Sequence, residues 1–258
     1  MPKLDGKIVL ITGGGSGIGR ATAKMLAAEG ALVVIAGRRK APLDAVVAEI
    51  EKVAGRAVAR QADVATHEEA LGLAEWTLAT YSRVDVLVNN AGYASRVRSA
   101  WVERDEWDEI VEINLNAIYA LTRAVLPGMV ERGRGTIVTV TSLAGIKPGL
   151  ISGAPYSAAK AAARNFMQFI HTTLRNRGIR ATTIIPAEVD TPILDKRPLV
   201  PDAGARATMM QPEDVAGAIL LCVTLPERTV VEEIIMSPTI LRNQTEELAF
   251  NARTGTPG

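Results

Sequence analysis

Apolar positions along this chain follow two rhythms that take turns. Seven short runs are apolar and rich in β-branched residues: Lys7–Thr12 (KIVLIT), Ala31–Ala36 (ALVVIA), Arg56–Arg60, Val84–Val88 (VDVLV), Thr136–Thr141 (TIVTVT), Ile179–Ile185 and Glu232–Met236. They are too short for helices, and most are apolar at nearly every position, as strands covered on both faces are. Between them apolar residues recur at helical spacing: Arg20 to Gly30 (RATAKMLAAEG), Pro42–Val53, Thr66–Tyr81, Glu103–Arg132, a stretch opening near Tyr156, and one opening at Pro212 (EDVAGAILLCV). Thr66 with Glu69 three positions later is a capping-box pattern. Strands alternating with helices predict an α/β sheet with helices on both faces. No internal repeat or linker divides the chain, so one domain over residues 1–258 is expected.

The turn after the first strand narrows this to a Rossmann-type, doubly wound, seven-stranded parallel sheet. It reads Gly13, Gly14, Gly15, Ser16, Gly17, Ile18, Gly19 and leads into a helix. Gly13 suits a tight turn, Gly17 lets a pyrophosphate approach the backbone, and Gly19 lets the helix pack on the strand. The free N–H groups of the helix start are then donors for phosphate. After the second strand come Gly37, Arg38 and Arg39 where a ribose-binding carboxylate would stand; guanidinium groups there suit a 2′-phosphate, so NADP is favoured and NAD is the alternative. Asp63, at the end of the third strand, is a candidate for the adenine amino group and equally a helix cap or loop acid. Asn89, Asn90, Ala91 and Gly92 close the fourth strand, either facing a ligand or holding their own turn. Ser142 ends the fifth. Polar candidates thus gather at the C-terminal ends of strands, where open parallel sheets bind ligands.

Tyr156 and Lys160 are four residues apart where a helix should begin, which puts them on one face. An ammonium beside a phenol lowers the phenol's pKa toward the range useful for a general acid/base. Asn114, inside the apolar stretch EIVEINLNAIYALTRAVL, is a poor mid-helix residue; it points to a bend or a bound water, unless it sits on a free face. Composition removes other classes. A net charge of +1 without a dense basic cluster argues against nucleic acid. Only His67 and His171 are present, far apart, and no metal site is expected. Cys222 lies alone in an apolar run, and the start lacks the apolar core of a signal peptide; a buried, inert thiol in a cytoplasmic protein is expected. No apolar run approaches a membrane span.

Taken together, these residues resemble the short-chain dehydrogenase/reductases over nearly the whole chain. Thr12 to Gly19 is similar to their TGxxxGIG turn, Asn89–Gly92 to their NNAG motif, and Asn114, Ser142, Tyr156 and Lys160 to their catalytic tetrad. The resemblance implies that Tyr156 exchanges a proton with the substrate oxygen. It implies that Lys160 lowers the pKa of Tyr156 and bonds the nicotinamide ribose, that Ser142 holds the substrate oxygen, and that Asn114 keeps a relay water. The hydride would pass between nicotinamide C4 and a carbonyl or alcohol carbon. Gly13, Gly15, Ser16, Gly17, Ile18, Gly19, Arg38, Arg39, Asp63, Val64, Asn90, Ala91, Gly92, Pro186, Val189 and Thr191 would line the cofactor site, with Tyr156 and Lys160. Two places depart from the family's pattern: Ala187 replaces the glycine of PGxxxT, and Glu232 to Thr239 replaces a VDGG ending, hinting at 3-hydroxy acid dehydrogenases rather than 3-oxoacyl carrier-protein reductases.

The proline-rich stretch from Ala187 to Gln211 is expected to be a substrate lid, with Arg96 and Arg98 bordering the pocket. Lys196, Arg197 and Arg206 either meet an acidic substrate or keep the lid soluble. Asn243–Gly258 is expected to be a loose polar tail or a partner-facing arm. The helices around Asn114 and after Tyr156 are apolar on more than one face, and the resemblance implies a homotetramer, or next a dimer, covering them. The implied activity is NADP-dependent interconversion of a small-molecule carbonyl and a secondary alcohol; the alternative is a non-catalytic nucleotide-binding regulator on the same fold.

Overall fold

The computed structural model describes residues 2–94 and 101–254. All seven expected strands form, with ends shifted by one or two residues: β1 Ile8–Thr12, β2 Leu32–Gly37, β3 Arg56–Gln61, β4 Val86–Asn89, β5 Gly135–Val140, β6 Ile179–Pro186 and β7 Glu233–Met236. They pair in parallel in the order β3-β2-β1-β4-β5-β6-β7. The order reverses between β1 and β4, which opens a crevice at their C-terminal ends.

The helices are α1 Gly17–Ala28, α2 Lys40–Glu51, α3 His67–Tyr81, α4 Arg104–Val111, α5 Ala117–Glu131, α6 Ala154–Leu174, α7 Ala203–Arg206, α8 Pro212–Thr224 and α9 Thr245–Thr254. Alternating side chains of each strand serve opposite faces, as the pleat requires. Val9, Ile11, Val33, Ile35 and Val138 pack with Leu26, Val46 and Ile219 from α1, α2 and α8. Leu10, Val34, Leu87 and Ile137 pack with Leu73, Leu121 and Met167 from α3, α5 and α6. Two apolar layers therefore clamp one sheet. Cys222 on α8 is buried, and burial pushes its thiol up to about 11, the inert state expected of it. Among the described residues no helix is long and apolar enough to cross a membrane.

Three local details differ from expectation. The region 104–131 is not one regular helix: a π-helical turn, Glu112–Asn116, joins α4 to α5 and contains Asn114. The capping box at Thr66 does not form. Glu69 instead reaches past Thr66 to accept from the Asp63 backbone N–H at 2.6 Å, and the Thr66 hydroxyl donates to Asp63 O. The stretch from Asn243 holds a helix, α9, rather than a loose tail along its described length.

Candidate functional site

One cleft of about 550 Å³ opens at the switch point. Gly13 after β1, Asn90, Ala91 and Gly92 after β4, Ser142 after β5 and Pro186 ending β6 line it. Thr12, not singled out from the sequence, ties the first two of these ends together. Its hydroxyl oxygen accepts from Asn90 N at 3.1 Å and Ala91 N at 3.0 Å. The Asn90 amide donates back to Thr12 O at 2.9 Å, and the Asn89 amide reaches Thr139 Oγ1 at 3.3 Å. Both asparagine side chains therefore hold the turn.

The glycine turn is shaped by what it cannot carry. Gly13 sits at φ +68, and a Cβ on Gly19 would fall 2.2 Å from Gly13 O. Only a residue without a side chain lets the first turn of α1 rest on the end of β1. Ser16 precedes α1 in extended backbone and makes no side-chain capping bond. The first N–H groups of a helix have no intrahelical partners, so those of α1 are available where Ser16, Gly17 and Ile18 line the cleft. This donor-lined, glycine-rich cradle fits a phosphate of a dinucleotide.

Gly153, at φ 78, starts α6 with Pro155 in its first turn, and Tyr156 and Lys160 follow on one face. Lys160 is only 3% exposed. Its ammonium donates to Val140 O at 3.0 Å and lies 5.6 Å from the centre of the Tyr156 ring. Burial without a carboxylate partner brings its pKa down to about 8. Across from it, the π-turn aims Asn114 inward. The Asn114 amide donates to Ile110 O and Tyr93 O, both at 2.9 Å, while its buried Oδ1 has no hydrogen-bond partner among the described residues. A Cβ on Gly92 would lie 3.1 Å from that Oδ1 and 3.5 Å from Lys160 Nζ, so glycine keeps the space between them clear. Ser142 Oγ accepts from Ala144 N at 3.2 Å, which fixes the hydroxyl at a 3-10 turn facing the cleft.

Ile18, Val189 and Thr191 also line the cleft with Tyr156 and Lys160. Gly15 does not; it packs near Pro42 and Leu43. Arg38 and Arg39 are exposed beyond the end of β2. Asp63 Oδ1 accepts from Ala65 N, and Val64 is buried in the core on the α3 side. Arg96 and Arg98 lie outside the described residues. The lid candidate is pinned: Leu194 and Met210 are buried, and Arg206 bonds Asp190 and Asp195.

Sequence reasoning missed Glu188 as a hub. Its carboxylate accepts from Arg197 at 2.7 Å, from Arg242 at 2.7 and 2.8 Å, and from Gln244 at 3.0 Å. Glu247 on α9 takes Arg242's remaining reach at 2.5 Å. Burial would raise the Glu188 pKa, but the Arg242 and Arg197 bonds outweigh it and hold the group below the usual carboxylate range. The signal for α9 was local: Asn243 before Thr245, acids at Glu246 and Glu247 in the first turn, and Arg253 near the end.

A family model described as short chain dehydrogenase matches residues 7–199. The chain belongs to the short-chain dehydrogenase family. A 3-oxoacyl-[acyl-carrier-protein] reductase from Synechocystis is 37% identical over 88% of this chain and 92% of its own length. A metagenomic short-chain oxidoreductase crystallised with NADP superposes with a TM-score of 0.80 at 31% identity, covering 93% of this chain and all of that one. A 3-ketoacyl-(acyl-carrier-protein) reductase from Brucella melitensis, complexed with NADH, gives 0.80 at 30% identity over 91% of this chain and 98% of its own. The C-terminal ending is a hint toward 3-hydroxy acid and serine-type dehydrogenases; the relatives named here include carrier-protein reductases instead.

Lys160 supplies a pH test of this family site. Its folded pKa, about 8, lies below the unfolded value near 10.5, so the unfolded chain binds more protons between those limits. Stability from this group therefore rises with pH across that window. Relative to Lys160→Met, the parent's unfolding free energy should gain about 3 kcal/mol between pH 7.5 and 10.5 in urea titrations. Parallel pH profiles for the two proteins would remove the buried charge from the account.

Proposed function

We propose that this chain is an oxidoreductase that interconverts a carbonyl and a secondary alcohol, using NADP in preference to NAD. One observation carries the reading: Tyr156, Ser142 and a buried Lys160 line the same cleft as the glycine cradle. A nicotinamide cofactor, when bound, supplies or accepts the hydride. Gly13, Gly17, Ile18 and Gly19 would hold its phosphates at the start of α1, and Asn90, Pro186, Val189 and Thr191, which line the cleft, would border its nicotinamide half.

The protein's own groups handle the oxygen and the proton. Ser142 donates a hydrogen bond to the substrate oxygen and orients it toward Tyr156. In the reducing direction the Tyr156 phenol gives that oxygen its proton, and in the oxidising direction the phenolate takes it back. The Lys160 ammonium stabilises the phenolate from below and bonds the ribose hydroxyls. Asn114 Oδ1, buried and without a hydrogen-bond partner among the described residues, holds a water that returns protons through Lys160. Its amide is already committed to two carbonyls, which fixes the orientation.

The relatives carry NADP in one structure and NADH in another. For this chain Arg38 and Arg39 favour NADP, because no carboxylate stands at the end of β2 to repel a 2′-phosphate. We also infer a homotetramer, with a dimer as the second choice. Tyr119 on α5 and Phe169 on α6 are large, apolar and half to mostly exposed, which suits a subunit contact.

Three outcomes are expected. Tyr156→Phe lowers kcat at least about 1000-fold while NADPH affinity, read by fluorescence titration, stays within about threefold; retained turnover would end the proton-donor assignment. The double change Arg38→Ala, Arg39→Ala raises KM for NADPH about tenfold or more and leaves KM for NADH nearly unchanged. Should both cofactors respond alike, the 2′-phosphate role of the pair is lost. Light scattering at micromolar concentration gives the mass of four chains, and a purely monomeric sample would count against the subunit contact.

A further inference from the structure

Apart from the cofactor cradle and the reacting groups, the apolar wall of the cleft is Leu150, Ile151, Ile193, Leu194, Leu241 and Leu248, beside polar lining from Lys147, Ser152, Glu188, Arg197 and Gln244. The apolar residues come from three separate segments: the loop before α6, the turn after Thr191, and the chain from Leu241 into α9. Leu241 is 86% exposed, and Leu150 and Leu248 are about 40% exposed, although each lines the cavity. Large apolar side chains left uncovered around a concave site mark what the site is made to cover. The third wall is held in position: Asn251 on α9 donates to Leu150 O at 3.2 Å, and Arg242 is bonded to Glu188 and Glu247.

Charge near that wall is already spent. Arg197 lines the cleft, but its guanidinium bonds Glu188 at 2.7 Å with Glu247 at 3.7 Å. Arg242 bonds the same two carboxylates. Two cations and two anions cancel within the cluster. Arg206 is likewise taken by Asp190 and Asp195. Of the lysines lining the cleft, Lys160 belongs to the proton machinery, and Lys147 is exposed, where water and salt screen it. Among the described residues, a substrate carboxylate carried into the leucine-lined part would lose its hydration and meet no unpaired cation but the exposed Lys147; Arg96 and Arg98 lie outside those residues.

We propose that the substrate is an uncharged ketone or secondary alcohol with a sizeable apolar substituent, seated between Leu150 and Ile151 on one side and Leu241 and Leu248 on the other. This rests on the oxidoreductase reading and names the chemical class that its site accepts. The substituent covers the exposed leucines, and its carbonyl oxygen meets Ser142 and Tyr156. The Glu188 cluster is structural: it holds the third wall closed without offering a charge to the ligand.

Matched pairs test it: 2-octanone against 7-oxooctanoate, which differ only by methyl against carboxylate, and 4-methylacetophenone against 4-acetylbenzoate. Consumption of NADPH and NADH is followed with the full chain. The neutral member of each pair should have a kcat/KM at least about 100-fold above its acid. Ile151→Arg, at a half-buried loop position of the wall where a cation is less screened, should narrow that ratio at least about tenfold by adding a free cation to the wall. Keto acids used equally or better would overturn the neutral-substrate inference and leave the oxidoreductase reading standing. An unchanged ratio in Ile151→Arg would remove Ile151 from the wall and overturn the seating between the two apolar sides. If no carbonyl compound is reduced while NADPH still binds, the oxidoreductase reading itself falls, and this inference with it.

Discussion

The site depends on keeping one ammonium out of water. A buried charge costs several kcal/mol unless it is matched, and among the described residues Lys160 meets neutral groups: the Val140 carbonyl and the face of the Tyr156 ring. Holding it there requires three elements at once. β5 supplies the carbonyl, α6 carries the lysine and tyrosine, and the π-turn brings Asn114 to the far side of Gly92. The 3-10 turn that follows Ser142 must also press on α6 at this level. A Cβ on Gly145 would lie 2.9 Å from the backbone of Lys160 and Ala161, so the turn can approach only because glycine stands there. The serine and the lysine are thus located by the same contact.

Most of the architecture could be read from the chain because the sheet is buried on both faces. A strand with no wet side has to be apolar throughout, and KIVLIT, ALVVIA and TIVTVT declare themselves for that reason. Glycine spacing supplied the switch point, since only a backbone without side chains lets α1 start against β1. Asn114 was legible as an irregularity, and the π-turn is the form that irregularity takes. What could not be read was anything set by distant charges. Thr66 and Glu69 have the right spacing for a reciprocal cap, yet Glu69 finds the Asp63 N–H in a turn whose shape three residues of sequence do not specify. The helix α9 is polar and short, and the segment leading into it is tied to Glu188, 56 residues before Gln244.

The candidate site divides along the same line. Tyr156, Lys160, Ser142 and the glycine turn are close in sequence to the elements that present them, so spacing and element type were enough. Arg197 and Arg206 show the opposite case. Taken one at a time they look like receptors for an acid, and only the countercharges at Glu188, Asp190 and Asp195 show that they are occupied. Thr12 entered only as the first letter of the TGxxxGIG turn, and the motif does not say what the threonine hydroxyl holds. Its importance comes from two N–H groups of β4's following turn that happen to lie beside it.

Lys160 and Glu188 are both charged groups removed from water, beside the same substrate space, and their surroundings drive them in opposite directions. Lys160 is given dipoles and an aromatic face in place of a carboxylate, so its proton is held loosely and its pKa falls to about 8. Glu188 is given two guanidiniums and an amide, and the pairing overcomes burial to keep it ionised. A perturbed pKa marks chemistry in one case and architecture in the other, and its size alone does not distinguish them. The partner does. A buried charge left without its opposite is one the protein can titrate near neutral pH, whereas a charge closed within a balanced cluster serves to hold two segments together. On that criterion the proton transfer we propose falls at the start of α6, and the junction of the lid with α9 is where the cleft is kept in shape.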